Sequence, residues 1–394
     1  MMRFILTLGL LAGLIVLFMS PVMSQTKIEF QAAQGYTDNL FLDNANTQDS
    51  YVTSKASITT YPFSFLEFIL NNEYTYYSDS YNLSNFKGEA GFTLLPLRDE
   101  SKFSLYINGN YSTQVYRIAY QHFSNDNYDF NISLGYSLTE TLQLRAGWAY
   151  NDNEYTNELP PVYEYFFGDS VQTGYGMAAD NDNNEIFIGG NATLPGSVAI
   201  DCEAGFATKN MNYVKRPDDR DDLRPVRDSL IEGDLDSYYF SPRISRPIGN
   251  KTGVSLTYTY RRFEDVDSVV VPGISTEFLS PWSSVYEGET ITLTVKTFLI
   301  PGIIAVGGAG YWDKEFLVTE EKLDDDNPAT PPSIIKARRD YMSRLFLSIQ
   351  KPFRFHSGAV VEPALQLDYS DNNSSNSLYD YNNFSILMAV KVRL

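Results

Sequence analysis

The stretch YDFNISLGYSLTETLQLRAGWAYN, residues 128–151, decides the fold because its side chains alternate between two characters. From residue 128 to 136 the even-numbered side chains are apolar and the odd-numbered ones are polar or small, and the same alternation returns from 142 to 150. A side-chain period of two is typical of a β-strand with one apolar face. The polar residues 139–141 separate the two runs, so the stretch predicts one complete β-hairpin.

The same alternation recurs along the chain after Gln25, without a helical stripe. It is clearest in residues 66–76, 103–111, 186–206, 254–260, 291–295, 345–349, 361–369 and 384–394. Counting predicts about 16 strands, within a range of about 14–18, and strands of ~10 residues suit a tilted crossing of a bilayer. The predicted fold class is all-β, a transmembrane antiparallel up-and-down β-barrel.

The connections between the predicted strands alternate between short and long. Short ones are predicted near residues 62–64, 96–101, 139–141, 195–197, 249–252, 300–302 and 353–358. Long ones are predicted near residues 42–49, 78–84, 118–127, 156–183, 210–236, 264–285, 316–339 and 371–380. Membrane barrels show this asymmetry, with short periplasmic turns and long extracellular loops.

Aromatic residues of the apolar faces gather toward the end where the long loops lie. Such a girdle is expected where amphipathic rings meet lipid headgroups. Its members are Tyr74, Tyr76, Tyr111, Tyr128, Trp148, Tyr150, Tyr238, Tyr258, Tyr260, Tyr341 and Tyr369.

The first 24 residues have the layout of a secretory signal peptide. Arg3 precedes an apolar run from Phe4 to Phe18, and Pro21 and Ser24 follow it. This run is short for a membrane-spanning helix, which needs ~20 apolar residues. Residues 1–24 are therefore predicted to be cleaved, leaving residues 25–394 as a single barrel domain.

Composition excludes several classes of function. A formal net charge of −19 argues against binding nucleic acid. One cysteine argues against a disulfide scaffold, and two histidines leave little material for metal or acid–base catalysis. A mean hydropathy of −0.26 excludes a bundle of membrane helices, whereas a barrel, in which alternate residues meet lipid, keeps a low average.

Together these features resemble the bacterial outer-membrane β-barrel class, of porin-like type. The final strand looks like the signal read by the barrel assembly machinery, although Leu394 stands where phenylalanine is more usual; the residues concerned are Phe384, Ile386, Met388, Val390, Val392 and Leu394. The opening Gly35–Phe41 also resembles the first strand of some porin-like barrels. The resemblance implies location in the cell outer membrane, with its lipids and lipopolysaccharide as partners. It leaves the oligomeric state open.

Charged residues of the polar faces are predicted to line the lumen, because a charge facing lipid would cost about 2–4 kcal/mol. The predicted pore-lining residues are Lys55, Glu67, Glu89, Arg145, Asp201, Glu203, Arg243, Arg261, Lys296 and Arg344. Barrels of about 16 strands leave an aqueous channel, so the predicted function is passive diffusion of small hydrophilic solutes. The basic residues between Arg243 and Arg344 could form one wall opposite acidic groups, creating a transverse field, or all could simply be paired. The alternative function is a non-conducting structural, adhesive or secretion-partner barrel that acts through its acidic loops.

Acidic clusters in the predicted long loops offer oxygen ligands that could hold Ca²⁺ or Mg²⁺ or remain solvated. They are Asp180, Asp182, Asp218, Asp219, Asp221, Asp222, Asp324, Asp325 and Asp326. No other cofactor is predicted. An enzyme is not predicted either, because His122 and His356 stand in connections with no partner that the sequence itself fixes.

Overall fold

A computed structural model describes residues 26–43, 45–96, 101–155, 180–212, 234–264, 269–272, 285–300, 302–316, 318–322, 333–334 and 338–394. Sixteen long strands form its barrel. They are β1 (Thr26–Thr37), β2 (Asp49–Phe63), β3 (Leu66–Tyr77), β4 (Asn85–Leu94), β5 (Phe103–Tyr116), β6 (Asn125–Ser137), β7 (Leu142–Tyr155), β8 (Asp180–Leu194), β9 (Val198–Asn212), β10 (Asp234–Ile248), β11 (Thr252–Phe263), β12 (Tyr286–Phe298), β13 (Ile304–Phe316), β14 (Arg339–Gln350), β15 (Val360–Ser374) and β16 (Tyr381–Arg393). The predicted strand number and all-β class are confirmed. The predicted signal peptide, residues 1–24, lies outside the described residues.

Each barrel strand pairs antiparallel with its neighbours in sequence, and β1 pairs with β16 to close the sheet. The closing register runs from Glu29 opposite Arg393 to Thr37 opposite Ser385. Beyond it, the Leu394 backbone N–H donates to the Ile28 carbonyl at 2.9 Å. Closure leaves the barrel without an exposed sheet edge, as the up-and-down architecture requires.

Short turns and long loops lie at opposite ends, as the sequence predicts, but their lengths overlap. At the turn end, the connections 95–102 and 351–359 are longer than the loop-end connections 78–84 and 375–380. The prediction that length alternates without exception is therefore wrong, because strand direction, and not length, decides the end at which a connection lies.

Some connections contain ordered structure of their own. At the loop end, short 3₁₀ helices span Tyr81–Leu83, Ile118–Phe123 and Ser377–Tyr379. A separate small sheet joins Val269–Pro272, Val318–Lys322 and Ser333–Ile334. At the turn end, Phe353–Arg354 pairs with the start of β15. No helix in the described part of the chain is long and apolar enough to cross a membrane.

Tight turns at the turn end depend on left-handed backbone. Gly196, between β8 and β9, has φ of +81°, and Ser197 beside it has φ of +60°. A Cβ on Gly196 would meet no atom within 4 Å, so conformation and not space explains glycine there. The glycine allows the chain to reverse direction between β8 and β9, which places Leu194 opposite Val198.

The two faces of the sheet differ as the alternation predicts. Large apolar side chains stand exposed on the outward face, among them Ile186 at 62 % and Ile188 at 64 %. Exposure of this extent on one face of a closed barrel fits contact with an apolar solvent. Aromatic rings occupy this face near the loop end, where Tyr111 and Tyr128 lie 5.1 Å apart between ring centroids.

A buried ion pair and the residues packed around it attach two loops to the barrel at the loop end. We call this group the Arg338 cluster; it consists of Arg338, Asp340, Phe316, Tyr379 and Asn372. The Arg338 guanidinium lies between two rings, 3.8 Å from the Phe316 centroid and 3.7 Å from that of Tyr379. It donates to the Asp340 carboxylate at 2.7 and 3.0 Å. Asn372 donates to the same carboxylate and to the Tyr379 carbonyl. The cluster therefore joins the connections 317–338 and 375–380 to β13, β14 and β15.

Candidate functional site: the barrel lumen

The strand register places all ten predicted pore-lining residues on one face of the sheet. Lys55 on β2, for example, lies opposite Gln31 on β1 and Glu73 on β3, and its Nζ is 4.0 Å from the Glu73 carboxylate. Because this face is the polar one and the other is apolar, it is the face that encloses the lumen. We refer to it as the lumen face.

The densest contacts on the lumen face join β7, β8, β9 and β10. Arg145 Nη2 lies 2.8 Å from Glu203 and 3.4 Å from Asp201. The Tyr239 hydroxyl lies 2.7 Å from Glu185 Oε1 and 2.9 Å from Glu203 Oε1. One guanidinium and one phenol thus donate charge-assisted hydrogen bonds to three carboxylates of the neighbouring strands β8 and β9.

The predicted basic wall is interrupted by acidic partners. Arg344 on β14 forms a bidentate pair with Asp368 on β15, with nitrogen–oxygen distances from 2.5 to 3.0 Å. Arg243 on β10 faces Asp201 on the adjacent strand β9. In the transverse-field alternative Asp201 would stand opposite the basic wall, whereas the register places it beside Arg243 and so favours the alternative of paired charges. Arg261 instead places its guanidinium 5.4 Å from the Tyr286 ring centroid.

Charges on the lumen face balance over the described barrel strands. The basic side chains are Lys27, Lys55, Lys87, Arg145, Lys209, Arg243, Arg261, Lys296, Lys314, Arg344, Lys391 and Arg393, and the equally numerous acidic ones are Glu29, Asp49, Glu67, Glu73, Glu89, Asp129, Glu185, Asp201, Glu203, Asp340, Glu362 and Asp368. The acidic excess of the chain, net −19, therefore lies elsewhere. Part of it stands on the outward face near the loop end, at Asp126, Asp152, Glu154, Asp236, Glu287, Glu289, Glu315 and Asp371.

Uncharged amides dominate one stretch of the lumen face, from β3 to β8, which we call the amide wall. It consists of Asn71, Asn108, Asn110, Asn127, Asn131, Asn151, Asn153, Asn181 and Asn183. Asn153 Nδ2 donates to Asn151 at 2.7 Å and to Asn181 at 3.4 Å, and Asn127 donates to Asn153. Amide groups therefore bond to one another across neighbouring strands.

Hydroxyl groups dominate a second stretch, from β10 to β12, which we call the hydroxyl wall. Ser241 and Thr259 face each other with 2.8 Å between their hydroxyl oxygens. The wall consists of Ser237, Ser241, Ser245, Ser255, Thr257, Thr259, Thr290, Thr292 and Thr294. Sequence reasoning considered the charged residues and missed both walls. The available signal was that the members of each wall occupy alternate positions along their strands.

Four tyrosines, Tyr51, Tyr77, Tyr116 and Tyr155, stand at the loop ends of β2, β3, β5 and β7 on the lumen face. We call them the tyrosine arc. The rings of Tyr51 and Tyr77 lie 5.6 Å apart between centroids. Tyr116 lies opposite Asn85 of β4, and its hydroxyl accepts from Gln114 at 2.8 Å. The arc therefore stands at the loop-end mouth of the lumen, directly above the amide wall.

Asp180 and Asp182 are the two predicted cation ligands among the described residues, and they do not lie on the lumen face. Asp180 and Asp182 belong to β8 and not, as the sequence suggests, to a loop, because the alternating pattern of that strand continues into its polar start. Asp182 accepts from the Asn210 amide at 2.9 Å, and Asp180 from the Tyr155 backbone N–H at 2.6 Å. Within the described residues no group of acidic, His or Cys side chains could hold a metal ion. The other predicted cation ligands, Asp218, Asp219, Asp221, Asp222, Asp324, Asp325 and Asp326, lie outside the described residues.

The predicted assembly signal occupies β16 and the residue after it. Its side chains lie on the outward face, where Met388 is exposed at 57 % and Leu394 at 64 %. Recognition by the assembly machinery stays a prediction.

Replacing Gly205 with alanine is expected to lower the free energy of unfolding by about 1–3 kcal/mol, as overpacking does. The Tyr239 ring lies over Gly205, and an added Cβ would contact its Cε1 and lie 2.8 Å from its Cζ. The ring must then move away from Glu185 and Glu203. Urea unfolding of the refolded barrel measures the change. Gly253→Ala is the matched control, since a Cβ there meets nothing within 4 Å; equal losses in both variants would contradict the packing explanation.

Comparison with known proteins finds structures of similar fold. No family model and no curated protein sequence matches the chain. Among solved structures, OccK3 (OpdO) of Pseudomonas aeruginosa is 8 % identical, with 95 % of this chain and 98 % of that chain aligned at a TM-score of 0.46. OccK5 (OpdH) of the same organism is 10 % identical over 94 % and 98 % of the two chains, at 0.45. CdiB from Acinetobacter baumannii is 8 % identical, with 92 % of this chain aligned to 60 % of that chain at 0.49. At these identities the likeness concerns the barrel alone.

Proposed function

We propose that the chain forms an aqueous pore in a bacterial outer membrane for passive diffusion of small hydrophilic solutes. The carrying observation is the closed sixteen-strand barrel whose lumen face carries charged, amide or hydroxyl side chains on every strand. Barrels of about 16–18 strands are wide enough to leave a water-filled channel. The charged and amide side chains of the lumen face need water, since burying them unpaired in a dry interior is costly.

The outward face supports a location in the membrane. Its exposed apolar side chains and the aromatic rings near the loop end match a hydrocarbon layer bounded by headgroups. The barrel strands, of 10 to 15 residues, are long enough to cross it at a tilt. A channel accounts for these features without an enzymatic step, and lipid, lipopolysaccharide and assembly-machinery contacts follow as parts of the same proposal.

The refolded mature chain, residues 25–394, is expected to give stable, stepwise conductance in a planar lipid bilayer bathed in KCl. Because the lumen charges balance, the reversal potential in a KCl gradient is expected to stay close to zero. Refolding is verified beforehand by heat-dependent migration in gel electrophoresis. Absence of conductance from a protein that passes this check would contradict the proposed pore and support the alternative, a non-conducting barrel that acts through its loops.

A further inference from the structure

The lumen combines three features that point to one class of solute. Its charges balance over the described strands, and several form ion pairs between strands, as in Lys55–Glu73, Arg145–Glu203 and Arg344–Asp368. Balanced charges produce little net field along a pore, so neither sign of ion is favoured by its charge. Any preference must therefore come from the uncharged groups of the wall.

The amide wall suits hydroxyl groups in particular. An asparagine amide both donates and accepts hydrogen bonds, as a solute hydroxyl does, so each can satisfy the other in either direction. Neighbouring amides such as Asn127 and Asn153 bond to each other, but each amide has two donor hydrogens and two acceptor lone pairs, so part of this capacity is left for a solute. A solute with several hydroxyls can exchange its water for successive amides as it moves.

The tyrosine arc adds flat apolar surface with a polar edge at the mouth above this wall. Tyrosine rings offer large contact area at low conformational cost. A sugar ring has the matching character, with C–H groups on its faces and hydroxyls at its rim. An anion gains nothing from ring faces that compensates its loss of water, and the weak attraction of a hydrated cation to an exposed ring does not replace the water that the cation would lose.

We propose that the pore favours uncharged, hydroxyl-rich solutes of saccharide type, which enter over the tyrosine arc and pass along the amide wall. This inference rests on the proposed pore function. It extends that function by naming the class of solute and the parts of the wall that select it.

The test compares three solutes of nearly the same size: glucose, gluconate and glucosamine, which carry no charge, a negative charge and a positive charge. Proteoliposomes containing the refolded protein are expected to swell about threefold faster with glucose than with either charged solute. A threefold ratio of rates corresponds to a small difference in the free-energy barrier to permeation. Equal rates would mean sieving by size alone, and a faster charged solute would mean selection by charge. Either result overturns the inference while leaving the pore intact, whereas absence of KCl conductance in the same preparation would overturn the pore itself.

Variants locate the selective groups. Tyr116→Ala is expected to lower the glucose swelling rate about threefold with KCl conductance retained, and Tyr116→Phe to keep most of the rate because the ring remains. Tyr128→Ala is the matched control, since Tyr128 is 42 % exposed on the outward face near the same end. An unchanged rate in Tyr116→Ala, or an equal fall in Tyr128→Ala, would remove the tyrosine arc from the inference. All variants are checked for folded migration first.

Discussion

Replacing Asp340 with alanine is expected to lower the free energy of unfolding by about 3–5 kcal/mol, the usual loss when one partner of a buried ion pair is removed. The carboxylate is almost fully buried, with 1 % of its side chain exposed, and Arg338 is 8 % exposed. The variant removes the carboxylate that the guanidinium contacts while both rings still keep water away. Denaturant unfolding of the barrel in lipid vesicles measures the loss.

A second ion pair at the start of β14 provides the control. Arg339 and Asp313 form a bridge of 2.8 Å at the loop end, but their side chains are 48 % and 30 % exposed. Exposed pairs contribute less than about 1 kcal/mol, so Asp313→Ala is expected to change stability little. If the two variants lost the same amount, burial would not explain the importance of the Arg338 cluster.

Replacing Leu134 with arginine is expected to cost about 2 kcal/mol of unfolding free energy in vesicles, because a basic residue that faces lipid costs about 2–4 kcal/mol at the midplane of a barrel and less toward the interfaces. Leu134 is 49 % exposed on the outward face of β6, between Leu105 and Ala146 of the neighbouring strands. Reversible urea unfolding into preformed vesicles gives the value.

The adjacent position separates a membrane effect from a strand effect. Ser133 lies on the lumen face of the same strand, opposite Tyr106 and Gly147. Ser133→Arg places the same side chain at the same depth but toward water, so a much smaller cost is expected. Comparable costs at the two positions would contradict the assignment of the outward face to lipid.

The sequence predicts the strands, their number and their two faces because each of these depends on neighbours along the chain. Alternation assigns Leu134 and Ser133 to opposite faces without knowledge of any other strand. The signal is strong here since one face is apolar over nearly every strand. It weakens where the pattern turns polar, which is why Asp180 was expected in a loop although it begins β8.

Contacts between distant segments could not be read in the same way. Nothing local relates Arg338 to Tyr379, and their contact arises because two loops meet above the barrel. The pairing of Arg145 with Glu203 likewise depends on the register of β7, β8 and β9. The transverse-field hypothesis treated the charges as separate walls because sequence gives the face of a residue but not its neighbour.

The pairing of β1 with β16 has a consequence for the order of folding. Gly35 meets Leu387 and Glu29 meets Arg393, so the contacts that close the barrel join its first and last strands. Contacts of such high sequence separation make folding slow, because the entropy of closing the loop is lost before any pairing is gained. Until β16 pairs with β1, the sheet has two open edges able to pair with other chains. Folding into a closed barrel therefore succeeds only if both edges stay apart from other strands until β16 joins the sheet.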